Sequence, residues 1–198
     1  VSKNPILLYK DVWGRWNAVG EFEYKLDGGC GKPVIYLYPE KATNVSISFA
    51  ESVKLTTDIP TYSGGWNVTA YPDGTLVDLQ REKTDCAAIY TDKVGSEYAA
   101  DACRLGVYPY IYWAGDVDAA YPRVKDGFVV AKSDLKKTLE EKLTTIGLSA
   151  KETRDMMEYW YPYLLKKDFA YYRLTFLQNK EMNSFIPMNV SPRPDTVL

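Results

Sequence analysis

Residues 66–79 read Trp66-Asn67-Val68-Thr69-Ala70-Tyr71-Pro72-Asp73-Gly74-Thr75-Leu76-Val77-Asp78-Leu79. Trp66 to Tyr71 reads as a strand. Pro72-Asp73-Gly74-Thr75 reads as a turn, in which Gly74 is available for positive φ and Asp73 serves turn formation. Leu76 to Leu79 returns as a second strand, so the segment is a β-hairpin.

Working outward, strand signals continue on both sides. Upstream, Lys32-Pro33 introduces Val34 to Tyr38, which Pro39 stops. Val45, Ile47 and Phe49 alternate with Ser46 and Ser48, the period of a half-buried strand, and Val53 and Leu55 begin another. Downstream, residues 81–104 read as a loop, followed by strands at Tyr108 to Trp113 and Phe128 to Val130. Leu135, Leu139, Leu143 and Ile146 lie at helical spacing after Ser133 and Asp134, with Gly147 suited to close the helix. Ser149-Ala150-Lys151-Glu152 is a capping-box signature for a second helix reaching about Trp160, where Pro162 interferes. Strands follow at Tyr171 to Leu177 and Ile186 to Val190, with Pro192 and Pro194 marking the exit. Strands, a helical pair over about 133–161, then strands again predict an α+β fold with a mainly antiparallel sheet. Residues 1–31, with Trp13, Trp16, Phe22 and Tyr24 ahead of Gly28-Gly29-Cys30-Gly31, read as an N-terminal arm packed on a single domain over 32–198.

The composition narrows the chemistry. The 198 residues carry 17 Tyr and 5 Trp but no His. Ser-His-Asp and Cys-His catalysis are therefore excluded, as are imidazole-bound copper, zinc and iron. A net charge of −2 with scattered basic residues shows no nucleic-acid footprint. No apolar run approaches the length of a membrane-spanning helix, so no membrane partner is expected. No phosphate-cradling glycine motif opens a helix, and no cofactor is expected.

Cys86 and Cys103 are spaced to close a loop, and we expect a disulfide between them. Cys30 is left as the odd thiol. Asn44-Val45-Ser46, Asn67-Val68-Thr69 and Asn189-Val190-Ser191 are acceptors for N-linked glycans if the chain passes through the secretory pathway, although Pro192 disfavours the third. The start at Val1, without a basic, apolar leader, fits a processed or trimmed chain. The expected location is extracellular.

Lys32-Pro33-Val34-Ile35-Tyr36-Leu37-Tyr38-Pro39-Glu40 and the 65–75 segment resemble motifs of an uncharacterised family of secreted proteins in fungi and bacteria. Phe128-Val129-Val130, Glu158-Tyr159-Trp160-Tyr161-Pro162 and Asn189-Val190-Ser191-Pro192-Arg193-Pro194-Asp195 extend the resemblance over about 32–198. It implies a secreted single domain and supplies no catalytic residues. The chain also resembles, more distantly, the small glycosylated subunits that accompany a larger fungal oxidase in heterodimeric laccases; such a subunit holds no copper itself.

Three functional classes follow: a binding protein, a hydrolase, and a structural or protective surface protein with no small ligand. As a binding protein, the chain would use an exposed aromatic platform, for which Trp13, Trp16, Trp66, Trp113 and Trp160 are the candidates, against a larger secreted protein or a polysaccharide. Tyr36/Tyr38 and Tyr108/Tyr110/Tyr112, at period two, are expected instead to share sheet faces. As a hydrolase without histidine, it would need two carboxyl groups flanking a sugar. Glu158, at a helix end beside Tyr159 and Trp160 where partial burial would raise its pKa, is the leading acid, with Asp73 as partner. Asp78, Asp116, Asp118 and Asp126 are further acids. Asp116, Asp118 and Asp126 lack EF-hand spacing, and no metal site is expected.

Overall fold

A computed structural model describes residues 6–14, 16–20, 33–83, 86, 102–117, 127–177 and 179–198. The opening hairpin is present: β6 (Trp66–Ala70) pairs antiparallel with β7 (Leu76–Asp78). Gly74 makes the turn at φ +85°, and the Asp73 carboxylate accepts a 2.9 Å bond from the Thr75 amide. Trp66, Val68, Ala70 and Leu76 point inward and are buried.

This hairpin lies within a five-stranded antiparallel sheet. β4 (Thr43–Phe49) pairs with β6 on one side and β12 (Met188–Ser191) on the other, while β8 (Val107–Tyr108) pairs with β7. A second sheet places β9 (Ile111–Val117) between β3 (Val34–Ile35) and β5 (Val53–Ile59). Both sheets feed one apolar core, in which Ile47, Trp66, Val68, Leu76 and Tyr108 of the first join Ile59, Ile111, Tyr112 and Trp113 of the second. Phe49 anchors the aromatic part, with ring centroids 5.6 Å from Trp66 and 4.7 Å from Trp113. The Trp66 indole N–H donates to the Pro60 carbonyl at 2.7 Å, so the largest buried ring leaves no orphan donor.

The register between β5 and β9 shifts between Leu55 and Thr57, opposite Gly115 and Ala114. The glycine is required by close approach: a Cβ at 115 would sit 2.5 Å from the Lys54 carbonyl oxygen.

The helical pair is also present, as α1 (Leu135–Thr145) and α2 (Ala150–Leu165). It packs with an antiparallel ribbon of β10 (Phe128–Ala131) and β11 (Tyr171–Leu174). Leu135, Leu139 and Tyr172, with Met157, Tyr161, Leu164 and Leu174, form this second, smaller core. The fold is therefore α+β, dominated by antiparallel sheet.

Several boundaries differ from the sequence reading. Tyr108 to Trp113 is not one strand: Pro109-Tyr110 carries the chain from the first sheet to the second, so Tyr108, Tyr110 and Tyr112 do not share a face. Tyr36 and Tyr38 lie beyond the two-residue β3. Pro162 does not end α2, because the lost N–H would have bonded the carbonyl at Glu158, an exposed position, and the helix closes one turn later with the Lys166 amide donating to Pro162 O at 3.3 Å. Residues 179–185 form a further helix, α3 (Asn179–Phe185), ahead of β12, and Phe185 enters the main core.

In the N-terminal arm, β1 (Ile6–Lys10) and β2 (Trp16–Gly20) form a two-stranded hairpin. Cys30 and the rest of the glycine turn lie outside the described residues.

Candidate functional site

Among the described residues, α2 brings titratable and aromatic groups together at two places. Its start is fixed locally: Ser149 Oγ accepts from the Glu152 amide at 3.3 Å and Glu152 Oε2 accepts from the Ser149 amide at 2.6 Å, the reciprocal pair that satisfies two orphan N–H groups. One side of the helix, with Met157, Tyr161 and Leu164, faces the smaller core. Another meets the tyrosines of the 36–38 and 109–110 connections.

At that junction the Tyr36 hydroxyl donates to Asp155 Oδ2 at 2.8 Å, and Lys151 Nζ donates to the same oxygen at 2.8 Å. The Lys151 ammonium also lies 4.8 Å from the centroid of the Tyr36 ring and 5.5 Å from that of Tyr110, and the two rings meet edge to face. A cation attracted by one carboxylate and two ring faces closes the cluster. Burial, then the hydrogen bond to Asp155, holds the Tyr36 phenol far above its ordinary pKa. Tyr110 is raised by burial and by the Asp155 charge, and Tyr38 by burial and the charge of Glu152. These phenols stay protonated and can donate hydrogen bonds; they are not poised as bases. Tyr38 also closes over the β6–β7 turn, where a Cβ at Gly74 would lie 2.6 Å from its ring. The cluster thus fastens α2 to the larger core.

The other concentration is on the surface. Along the last turns of α2, Tyr159 and Trp160 meet at 5.2 Å and 85°, and Trp160 and Tyr163 at 5.6 Å and 87°. Lys167 lies over the Tyr163 ring at 4.8 Å. The following segment returns to β10: Tyr172 Oη donates to Leu164 O at 2.6 Å and Lys132 Nζ to Lys167 O at 2.9 Å. These bonds hold the return while leaving Phe169 58% and Tyr171 67% exposed; Tyr159, Tyr163 and Leu165 of α2 are exposed as well.

The predicted tryptophans separate. Trp66 and Trp113 are 1% and 4% exposed; both are core residues and form no exposed platform, because they point from their strands into the space between the sheets. Trp160 is half-buried within the α2 surface. Trp13 is 76% exposed in the β1–β2 turn, where its amide donates to Asp11 Oδ1. The Trp16 side chain lies outside the described residues.

The carboxylates disperse as well. Glu158 is exposed, contrary to the partial burial expected of it, since the apolar sides of α2 are taken by Met157, Tyr161 and Leu164. Asp73 is held below the usual carboxylate range by the Thr75 amide and hydroxyl, the wrong direction for a general acid. Asp78 is buried, with Oδ1 accepting from the Gln80 amide, and Asp116 is exposed near the end of β9. Asp118 and Asp126 lie outside the described residues, among which no three acidic or thiol groups converge as a metal would need. No helix among them is long and apolar enough to cross a membrane.

Cys86 and Cys103 form the expected disulfide. All three sequons fall on strands of the five-stranded sheet, with Asn44 and Asn189 exposed and Asn67 half-buried.

The sequence gives Lys151, Tyr159 and Tyr171 only as parts of a cap, a helix end and a strand, and gives no role to Asp155, Tyr163 or Phe169. The signal was the fourfold spacing of Lys151/Asp155 and of Tyr159/Tyr163/Lys167, which places each set on one stripe of a helix. Compared with protein-family models, curated proteins and solved structures, the chain matches none.

Proposed function

We propose that the chain is a secreted binding subunit that docks on a larger secreted protein through the aromatic end of α2 and the 166–171 return. The observation that carries this reading is the exposure of Tyr159 and Tyr163 against half-buried Trp160, followed in the chain by exposed Phe169 and Tyr171 in a return held by side-chain hydrogen bonds to its main chain. Exposed aromatics on a fixed frame bury large area on association at small entropic cost. Perpendicular ring pairs favour a contoured protein surface over a polysaccharide, which stacks best on ring faces lying in one plane. The disulfide fits an oxidising compartment. With no histidine in the chain, chemistry that needs an imidazole base or imidazole-bound metal would fall to the partner. The resemblance to accessory subunits of secreted oxidases points the same way.

The test is the native mass of the protein from its natural extracellular fraction, followed by reconstitution with Tyr163→Ala and Phe169→Ala. A complex of defined stoichiometry is expected, with each variant weakening it at least about tenfold, or ~1.4 kcal/mol. A strictly monomeric natural protein would sink the reading. An unaltered affinity in both variants moves the interface off α2.

A further inference from the structure

The sequons occupy an unusual place. N-linked acceptors ordinarily lie in surface loops, whereas here Asn44 and Ser46 are in β4 and Asn67 and Thr69 in β6, neighbours in the middle of the five-stranded sheet. Val45 and Val68 point inward and are buried, so both asparagines and both hydroxyl residues project from the outer face. In the antiparallel register Asn44 stands opposite Thr69, and Ser46 opposite Asn67. The two motifs therefore interlock: Thr69 Oγ1 donates to Asn44 Oδ1 at 2.8 Å, and Ser46 Oγ donates to Asn67 Oδ1 at 2.6 Å. Each sequon's hydroxyl is held by the other sequon's amide.

We infer that Asn44 and Asn67 are one coupled modification unit, acceptors of an N-linked glycan before β4 pairs with β6, of which a folded, secreted molecule carries only one. The inference rests on the secretory part of the function proposed above.

In the reaction, the asparagine Nδ2 forms a bond to C1 of an oligosaccharide as the bond from C1 to a lipid pyrophosphate breaks. The amide loses a proton, and the lipid pyrophosphate leaves. The transferase must reach the amide nitrogen and the hydroxyl of the same motif. In the sheet each hydroxyl is engaged across the ladder, and neither strand is an edge: β4 lies between β12 and β6, and β6 between β4 and β7. Transfer therefore precedes pairing.

One glycan is compatible with the ladder, since substitution at Nδ2 leaves Oδ1 free to accept the cross-strand bond. Two are not. Asn44 and Asn67 are diagonal neighbours, whose separation of about 7 Å is comparable to the width of one acetylated pyranose. A chain modified at both positions must crowd two sugars over one ladder, which opposes β4–β6 pairing and keeps it out of the folded, exported pool.

The test uses the chain behind a secretion signal in a glycosylating eukaryotic host, with Asn189→Gln throughout so that intact mass counts only this pair. Site occupancy is read by glycopeptide mass spectrometry. Secreted material is expected to carry one glycan, divided between Asn44 and Asn67. Thr69→Ala, which removes the Asn67 motif, should raise occupancy at Asn44, and Ser46→Ala should raise it at Asn67. Asn67→Gln and Asn44→Gln repeat the comparison with the hydroxyls intact. A doubly modified species as a major secreted form overturns the inference. So does single-motif occupancy no higher than in the parent, or modification at neither site. Because the host supplies secretion, a monomeric natural protein would defeat the docking reading without touching this result, and two glycans would defeat this inference without touching docking.

Discussion

Replacing Tyr36 by Phe deletes one oxygen and tests whether the Tyr36–Asp155–Lys151 cluster fastens α2 to the larger core. The lost bond is 2.8 Å long and runs to a carboxylate that also accepts from Lys151. Hydrogen bonds to charged groups contribute roughly 1.5–3 kcal/mol. The Lys151 and Asp155 side chains keep 39% and 26% of their exposure, so solvent screening puts the value toward the lower end, about 1.5 kcal/mol. At about 2–4 °C per kcal/mol for a chain of this size, the midpoint of thermal unfolding should fall by about 3–6 °C. Equilibrium urea denaturation followed by far-UV circular dichroism measures the free-energy change. A double-mutant cycle with Asp155→Ala isolates the pair, with an expected coupling of about 1 kcal/mol or more. Lys151→Met should cost a similar amount, since it removes the ion pair together with two ring contacts worth about 0.5–1 kcal/mol each. A Tyr36→Phe protein within about 0.3 kcal/mol of wild type, with no coupling to Asp155, would refute the reasoning.

Gly115→Ala should destabilise by about 1–3 kcal/mol, because the added Cβ meets the Lys54 carbonyl oxygen and β5 must move; denaturation midpoints read the change. Reducing the Cys86–Cys103 bridge, whose cysteines are 17 positions apart, should cost about 3 kcal/mol and lower the unfolding midpoint with little change in native circular dichroism. Alkaline titration should destabilise the fold in a defined window. Burial, helped by the Asp78 charge, pushes the Tyr108 phenol up to about 12, while the unfolded chain releases that proton near pH 10. The stabilisation is thus complete below about pH 10 and is lost as the pH rises toward 12, amounting to roughly 2–3 kcal/mol. Tyr36 and Tyr110 act in the same direction. Tyrosinate absorbance should show these phenols lagging behind the rest, and a single transition near 10 for all tyrosines would contradict it.

What was legible in the sequence was what the chain decides locally. The 66–79 hairpin depends on a turn whose Asp73 and Gly74 act within four residues, and α2 starts where Ser149 and Glu152 cap each other. Illegible features were those settled by distant contacts. Tyr36 and Asp155 are 119 residues apart, so no spacing rule announces their bond. Period two across Tyr108, Tyr110 and Tyr112 is the same whether the strand continues or passes between sheets, and here Pro109-Tyr110 makes the passage. Tryptophan shows the same division. Trp66 and Trp113 differ from Trp13 in nothing that residue type records, yet two fill the core and one stands in solvent. The sheet strands place their alternate residues between two layers, whereas α2 has apolar neighbours on only part of its circumference. Aromatic residues beyond what those neighbours cover, Tyr159 and Tyr163 above all, remain outside. The aromatic excess therefore predicts that a surface exists, and only the count of faces each element can bury predicts where it lies.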